Sequence, residues 1–108
     1  MFARILDFEV KLEKKAEFIK VVKNEVLPIL KQQIGFLEVL PFFPDKVKEQ
    51  KVLVISLWAA RPDAERYEKE TYPKVREVLK PYLTTPVWVK PYIVETTLCE
   101  HFVEALVA

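Results

Sequence analysis

The segment 52–60 is apolar on both of its faces when it is read as a β-strand. One face would carry Val52, Val54, Trp58 and Ala60, and the other Leu53, Ile55, Leu57 and Ala59. An antiparallel strand that meets water on one face normally carries polar residues there. The chain must therefore fold into a sheet that is covered on both faces, which excludes most small open-faced architectures.

Hydrophobic periodicity predicts the remaining elements. Alternation with period two predicts further strands at 2–10, 36–43 and 87–97. Between the first two strands, apolar residues recur at three- and four-residue steps, which is typical of an amphipathic helix. A second helix is predicted to open at Arg61-Pro62-Asp63, because proline suits the first helical position and acids suit the first turn. The order β-α-β-β-α-β predicts the ferredoxin-like arrangement of the α+β class.

Prolines and the only glycine refine this assignment. Pro28 and Pro73 lie inside the predicted helices and are expected to kink or divide them. Gly35 is expected to cap the first helix at its C-terminus. Pro91 predicts an edge position or a bulge for the last strand, because proline cannot donate a ladder hydrogen bond. The final segment, 98–108, is predicted to be a short apolar tail with one or two helical turns.

Two helices can cover only one face of such a sheet. The second strand repeats the two-sided pattern of segment 52–60, with Phe36, Leu40 and Phe42 alternating with Leu37, Val39 and Phe43. An uncovered apolar face of this size would be an interaction site. We therefore expect a homodimer in which two copies pack through their sheet faces.

Composition excludes several classes of protein. The 17 basic and 16 acidic residues are interleaved, so no basic stripe exists and nucleic-acid binding is not expected. No apolar run approaches the ~20 residues of a membrane span. One cysteine excludes an internal disulfide, and no signal-peptide pattern is seen, which predicts a cytoplasmic protein. The length of 108 residues suits a single domain, 1–108.

Four local features carry a resemblance to a known family. They are Leu27-Pro28-Ile29-Leu30, Ile34-Gly35-Phe36, the strand 52–58 and the helix start Arg61-Pro62-Asp63-Ala64. Over residues 2–97 the chain resembles dimeric α/β-barrel proteins of the antibiotic biosynthesis monooxygenase type. The resemblance implies two sheets packed face to face, with a cavity between each sheet and its helices. It also implies a monooxygenase-like activity on a small, largely apolar or aromatic molecule, without a metal or organic cofactor.

The haem-degrading branch of that family fits poorly. Its members carry an asparagine in the first strand, a tryptophan early in the second helix and a histidine about a helix later. The corresponding positions here offer Asp7 and Tyr67, and the second helix contains no histidine. The haem ligand is therefore missing from the expected place.

Aromatic residues are the main candidates for a ligand site. Trp58 could wall a cavity and donate a hydrogen bond from its indole, although a core tryptophan with a satisfied N–H is the more ordinary interpretation. Tyr67 and Tyr72 lie near the start of the second helix, where either hydroxyl could act as a catalytic acid or base. The ordinary alternative is amphipathic packing with the hydroxyl at the surface.

Charged residues of the first strand form a second candidate set. Asp7 and Glu9 point the same way, about 7 Å apart. One could act as a general acid and the other as a general base. Arg4 faces the opposite side and is the one charged residue on the apolar face of this strand. Asp7 is the candidate proton acceptor, because it lies mid-strand between apolar neighbours. Two solvated strand charges are the simpler interpretation.

The histidine, the cysteine and the glycine of the chain do not predict a metal site or a phosphate-binding site. His101 and Cys99 are too few ligands for a structural zinc site, so no metal is predicted. A chain with one glycine has no glycine-rich loop to bind phosphates.

Two functions remain open at this level. One is a small enzyme of the monooxygenase type, with Trp58, Tyr67 and Tyr72 lining the cavity and Asp7 accepting a proton. The other is a non-catalytic ligand-binding or dimerisation domain. The fold does not separate the two, since regulatory modules share the same element order.

Overall fold

The structure, a computed structural model, describes residues 1–99. Most of the predicted C-terminal tail, together with His101, therefore lies outside the described residues. Within the described range the element order is the predicted one, and the α+β ferredoxin-like fold is confirmed.

Four antiparallel strands form one sheet in the order β2-β3-β1-β4. The strands are β1 (Phe2–Glu9), β2 (Phe36–Phe42), β3 (Lys51–Trp58) and β4 (Trp88–Ile93). The strand with the two-sided apolar pattern, β3, lies at the centre of the sheet, whereas β2, which repeats that pattern, lies at an edge. The sheet is open at β2 and β4, so a single chain does not close a barrel.

Strand β4 lies at an edge, as Pro91 predicted. The strand ends at Ile93, four residues earlier than the predicted end. Ile93 pairs with Phe2, the first residue of β1, so the chain beyond it has almost no strand left to pair with. A short 3₁₀ turn, Thr96–Leu98, follows instead.

A β-bulge in β2 changes which of its side chains face the helices, so the simple alternation predicted from the sequence is wrong for this strand. Phe36 pairs with Trp58 and Glu38 with Leu57, so the register shifts at the residue between them. The extra residue of a bulge reverses the alternation of the residues that follow. As a result Phe36 packs on the helix side with Val39 and Phe43, and not with Leu40 and Phe42 as the simple alternation predicted.

Helical residues before β2 form α1 (Lys15–Val21), a π-helical turn (Val22–Val26) and α2 (Leu27–Lys31). Pro28 therefore lies in the first turn of α2, where its missing N–H costs little. The predicted break exists, and the wider π turn accommodates it. Gly35 does not cap α2, which ends four residues earlier, at Lys31. It turns the chain into β2 with a φ of 83°, a conformation that glycine adopts without strain.

The second helical segment is divided as predicted, into α3 (Arg61–Glu70) and α4 (Tyr72–Leu79). Thr71 separates them and leaves helical geometry with a φ of −117°. Pro73 lies in the first turn of α4, so the division places the proline where its ring is tolerated.

All the helices cover the same face of the sheet, and the core lies between the two layers. This face of β1 carries Phe2, Arg4, Leu6 and Phe8, all buried. The other face, which we call the open face, carries none of these helices. It exposes Trp88 at 68% together with a group of other apolar side chains, Leu40, Phe42, Leu53 and Tyr92. No helix in residues 1–99 is long and apolar enough to cross a membrane.

Candidate functional site

A cavity of about 330 Å³ lies between the sheet and the helices, and we call it the main cavity. Its walls are almost entirely apolar. The sheet contributes Leu6, Phe8, Val39, Pro41, Val54 and Ser56, and helical residues around Phe18, Val26, Leu30, Val75 and Leu79 close it. A space of this size and lining suits a compact aromatic or aliphatic molecule.

One end of the main cavity is polar. Tyr67, Tyr72 and Ser56 line this end. The two tyrosine rings lie 6.1 Å apart between centroids, and Tyr67 lies 5.1 Å from Trp58. The break between α3 and α4 allows both tyrosines to lie on the inner face. Tyr67 belongs to α3 and Tyr72 to α4, so their directions are not fixed by one continuous helix. Two predicted site residues are thus brought together at one cavity wall.

Trp58 supports this end without lining the main cavity. It is fully buried at 0% exposure, and its indole N–H donates to Ser56 Oγ over 3.0 Å. Ser56 Oγ lies 3.4 Å from the carbonyl oxygen of Arg4, to which its hydroxyl donates. Trp58 therefore positions a serine that lines the main cavity, and Trp58 itself is not among the lining residues.

Arg4 is a further residue at this end of the site, and the sequence does not predict its place there. Its side chain is buried at 2% exposure, and its guanidinium carbon lies 5.1 Å from the Tyr67 ring centroid and 4.8 Å from that of Tyr72. Such stacking of a cation on two aromatic faces is favourable, and more so where water is excluded. The signal in the sequence was its position as the only charge on the apolar face of β1.

Burial controls the protonation of both tyrosines. Burial raises the pKa of Tyr67 to about 12, and the nearby positive charge of Arg4 opposes this only in part. Burial also raises the pKa of Tyr72, again against the influence of Arg4. Both side chains are therefore neutral phenols at physiological pH. They can donate hydrogen bonds to a ligand, and neither is poised to act as a base.

Alkaline pH is expected to destabilise the fold through Tyr67. Its pKa is 10.0 in an unfolded chain and about 12 in the folded protein, so from pH 10 upwards unfolding releases a proton. Stability is complete below pH 10 and falls as the pH rises towards 12, by up to about 2–3 kcal/mol. Urea unfolding across this range measures the loss. The Tyr67→Phe variant should lack this part of the pH dependence, and identical profiles for both proteins would contradict the assignment.

Asp7 lies away from the main cavity. It belongs to the open face, and its carboxylate is 3.3 Å from the ammonium of Lys51. Residues of a strand alternate between faces, so Asp7 and the buried Arg4 point in opposite directions, as expected. The sequence groups Asp7 with Tyr67 and Tyr72 as catalytic candidates, but in the structure Asp7 does not share a site with these two tyrosines.

A second cavity, of about 270 Å³, lies beside the first. Its lining combines two arginines, two glutamates and apolar residues of the sheet edge, namely Phe2, Arg4, Arg61, Glu65, Glu68, Val89 and Pro91. Arg4 borders this cavity, whereas the tyrosines on which it stacks border the main cavity. Within residues 1–99, no group of three or more potential metal ligands comes together.

Comparison with known proteins shows similarity in structure only. No family model matches the sequence, and no curated protein matches it. Solved structures do match, among them SnoaB, a cofactor-independent oxygenase from Streptomyces nogalater. Its TM-score is 0.73 at 18% identity, over 92% of this chain and 97% of that protein.

Two further structures have the same fold. The ActVA-Orf6 monooxygenase of Streptomyces coelicolor, solved with the ligand Nanaomycin D, gives a TM-score of 0.70 at 16% identity over 87% of both chains. A Nitrosomonas europaea protein assigned to antibiotic biosynthesis monooxygenases gives 0.68 at 17% identity, over 88% of this chain and 99% of that one. The resemblance to the antibiotic biosynthesis monooxygenase type is thus confirmed at the level of the fold.

Proposed function

We propose that this protein is a small monooxygenase-like enzyme that binds a compact aromatic molecule in the main cavity and uses no metal or organic cofactor. The observation that carries the proposal is the cavity itself, about 330 Å³ of apolar space that ends at two buried phenols. The shared fold with SnoaB and the ActVA-Orf6 monooxygenase supports the reaction class. Low sequence identity leaves the roles of individual residues to be argued from this chain alone.

The chemistry asked of the protein is limited. For a substrate with a CH₂ carbon between aromatic rings, such as an anthrone, one oxygen atom of O₂ would enter at that carbon, which becomes a carbonyl, and the other would leave as water with both hydrogens. The substrate supplies all four electrons, so the protein has to bind, orient and polarise it. Tyr67 and Tyr72 are protonated donors that can stabilise negative charge on a substrate oxygen.

The active form is proposed to be a homodimer that packs through the open face. Leu40, Phe42 and Leu53 form one apolar side of that face, and Trp88 and Tyr92 form the other. A stable protein–protein interface buries about 800 Å² on each partner, which a four-stranded face can supply. The single cysteine, Cys99, fits a reducing compartment such as the cytoplasm, where we place the protein.

Oxygen consumption tests the enzymatic proposal. With a hydroxylated anthrone as substrate, we expect uptake of one O₂ for each quinone formed, followed in an oxygen electrode and by absorbance. The Tyr72→Phe variant should lower the rate about a hundredfold, because a preorganised donor to the developing oxyanion is lost. Heat-denatured protein gives the background rate. If a panel of anthrones shows no uptake above that background, the protein is not an oxygenase of this kind.

A non-catalytic ligand-binding module is the second candidate. One observation favours it: among the described residues, 1–99, those that line the main cavity include no carboxylate, histidine or cysteine. A ligand could therefore be held there without any group to take its proton. Tight binding of the aromatic probes without oxygen uptake would establish this alternative.

A further inference from the structure

We propose that the ligand of the main cavity is an aromatic acid, whose ring lies inside the cavity and whose carboxylate lies at its mouth beside the ammonium of Lys23. The inference rests on the proposed function for the location of the ring. It adds the charge of the ligand, the direction in which the ligand enters and the residue that selects for it.

The main cavity opens to solvent between the first helical segment and the edge strand β2. Three of its lining residues are exposed, namely Ile19 on α1, Lys23 on the π-helical turn and Pro41 on β2. The other residues that line it are buried or half-buried, and Tyr67 and Tyr72 are only 3% and 5% exposed. The cavity therefore has a closed end at the two tyrosines and an open end at the three exposed residues, which we call the mouth.

Lys23 is the one charged residue among the described residues that line the main cavity. Its ammonium forms no ion pair with a carboxylate of residues 1–99. The arginines Arg4 and Arg61 line the second cavity instead, where Glu65 and Glu68 balance their charges. An acidic ligand in the main cavity therefore meets one positive charge, and it meets that charge at the mouth.

The apolar interior decides which part of such a ligand goes in first. An ionised carboxylate loses its hydration in an apolar space, and the cost is large unless the group is paired there. Walls made of side chains such as Phe18, Val26 and Leu30 offer it no hydrogen bond. The ring, in contrast, gains from contact with these walls. The ligand therefore enters ring first and leaves its carboxylate at the mouth, where the group keeps part of its water and is attracted by Lys23.

Lys23 belongs to the π-helical turn Val22–Val26, and this turn forms part of the cavity wall. Three of its five residues, Val22, Lys23 and Val26, line the main cavity. Such turns are rare and occur frequently at functional sites. The long stem of a lysine can lie along an apolar wall while its ammonium stays in water. Lys23 can therefore contact a carboxylate at the mouth without being buried itself.

The experiment compares 2-naphthylacetate with 2-naphthylacetamide, by isothermal titration at neutral pH with the full-length protein. The two ligands have nearly equal shapes, and only the first is charged. We expect the wild type to bind the acetate about fivefold more tightly, which is the size of effect that a partly exposed ion pair produces. The preference should shrink as the sodium chloride concentration is raised, because salt screens exposed charges.

Variants of Lys23 identify the source of the preference. Lys23→Gln should lower the affinity for the acetate to that for the amide, and Lys23→Glu should make the acetate the weaker ligand, because like charges repel. Lys23→Arg should keep the preference, since the positive charge stays at the mouth. Lys20→Gln is the matched control, because Lys20 is an exposed lysine of α1 that is not among the lining residues. It should leave most of the preference in place.

The outcomes separate this inference from the proposed function. Equal affinity of the wild type for the two ligands, or a tighter amide complex, overturns the acidic ligand and leaves the aromatic cavity supported. An acetate preference that survives in Lys23→Gln and Lys23→Glu overturns the position of the carboxylate at the mouth. An equal loss of preference in Lys20→Gln and Lys23→Gln overturns Lys23 as the selecting residue, because it shows a general effect of surface charge.

Two further outcomes concern both proposals together. If neither ligand binds, the aromatic cavity fails, and the proposed function fails with it. Acetate binding that depends on Lys23, without oxygen uptake from any substrate, supports the acidic ligand and overturns only the oxygenase.

Discussion

An Ile55→Lys variant is expected to be monomeric at micromolar concentration, where we expect the wild type to sediment as a dimer. Ile55 lies at the centre of the open face, paired with Ile5 on one neighbouring strand and Leu40 on the other. A lysine there would bury an unpaired charge against the partner sheet, which costs several kcal/mol. A loss of about 4 kcal/mol raises the dissociation constant about a thousandfold. Analytical ultracentrifugation over a dilution series measures the change.

Val47→Lys is the matched control for this variant. Val47 is also an apolar residue that becomes lysine, but it lies 83% exposed in the connection between β2 and β3. It should leave the dimer intact. A wild-type protein that sediments as a monomer at these concentrations would refute the proposed interface, and a dimeric Ile55→Lys variant would place it elsewhere on the molecule.

A Val54→Trp variant is expected to bind naphthalene ligands at least about a hundredfold more weakly than the wild type, since the indole would occupy the space the ligand needs. Val54 lies on the helix-facing side of β3, in the floor of the main cavity. An indole placed in a filled core would cost about 1–3 kcal/mol of stability. Placed in a cavity, it should leave the unfolding free energy close to that of the wild type.

Two measurements are needed for this variant, ligand titration and urea unfolding. Val54→Ala is its control, because it enlarges the cavity and should retain binding. Strong destabilisation in Val54→Trp would indicate that the cavity cannot admit a ring. Unchanged ligand affinity would show that the ligand binds elsewhere.

Arg4 and Asp7 show how far the candidate site could be predicted. The alternation of β1 placed them on opposite faces, and the structure agrees. Alternation alone does not tell which face lies under the helices and which looks outward. The sequence alone therefore groups Asp7 with Tyr67 and Tyr72 and omits Arg4, although Arg4 is the residue that contacts both rings.

The sequence alone determined the element order, the antiparallel hairpin of β2 and β3, the edge position of β4 and the excess of apolar surface on the sheet. These depend on periodicity and on proline geometry, which act over a few residues. Only the tertiary structure decided the bulge in β2, the faces of Phe36 and its neighbours, and the meeting of Arg4 with two tyrosines more than sixty positions away. Such features depend on how segments distant in the sequence pack against one another. The hydrophobic pattern within a short segment does not predict that packing.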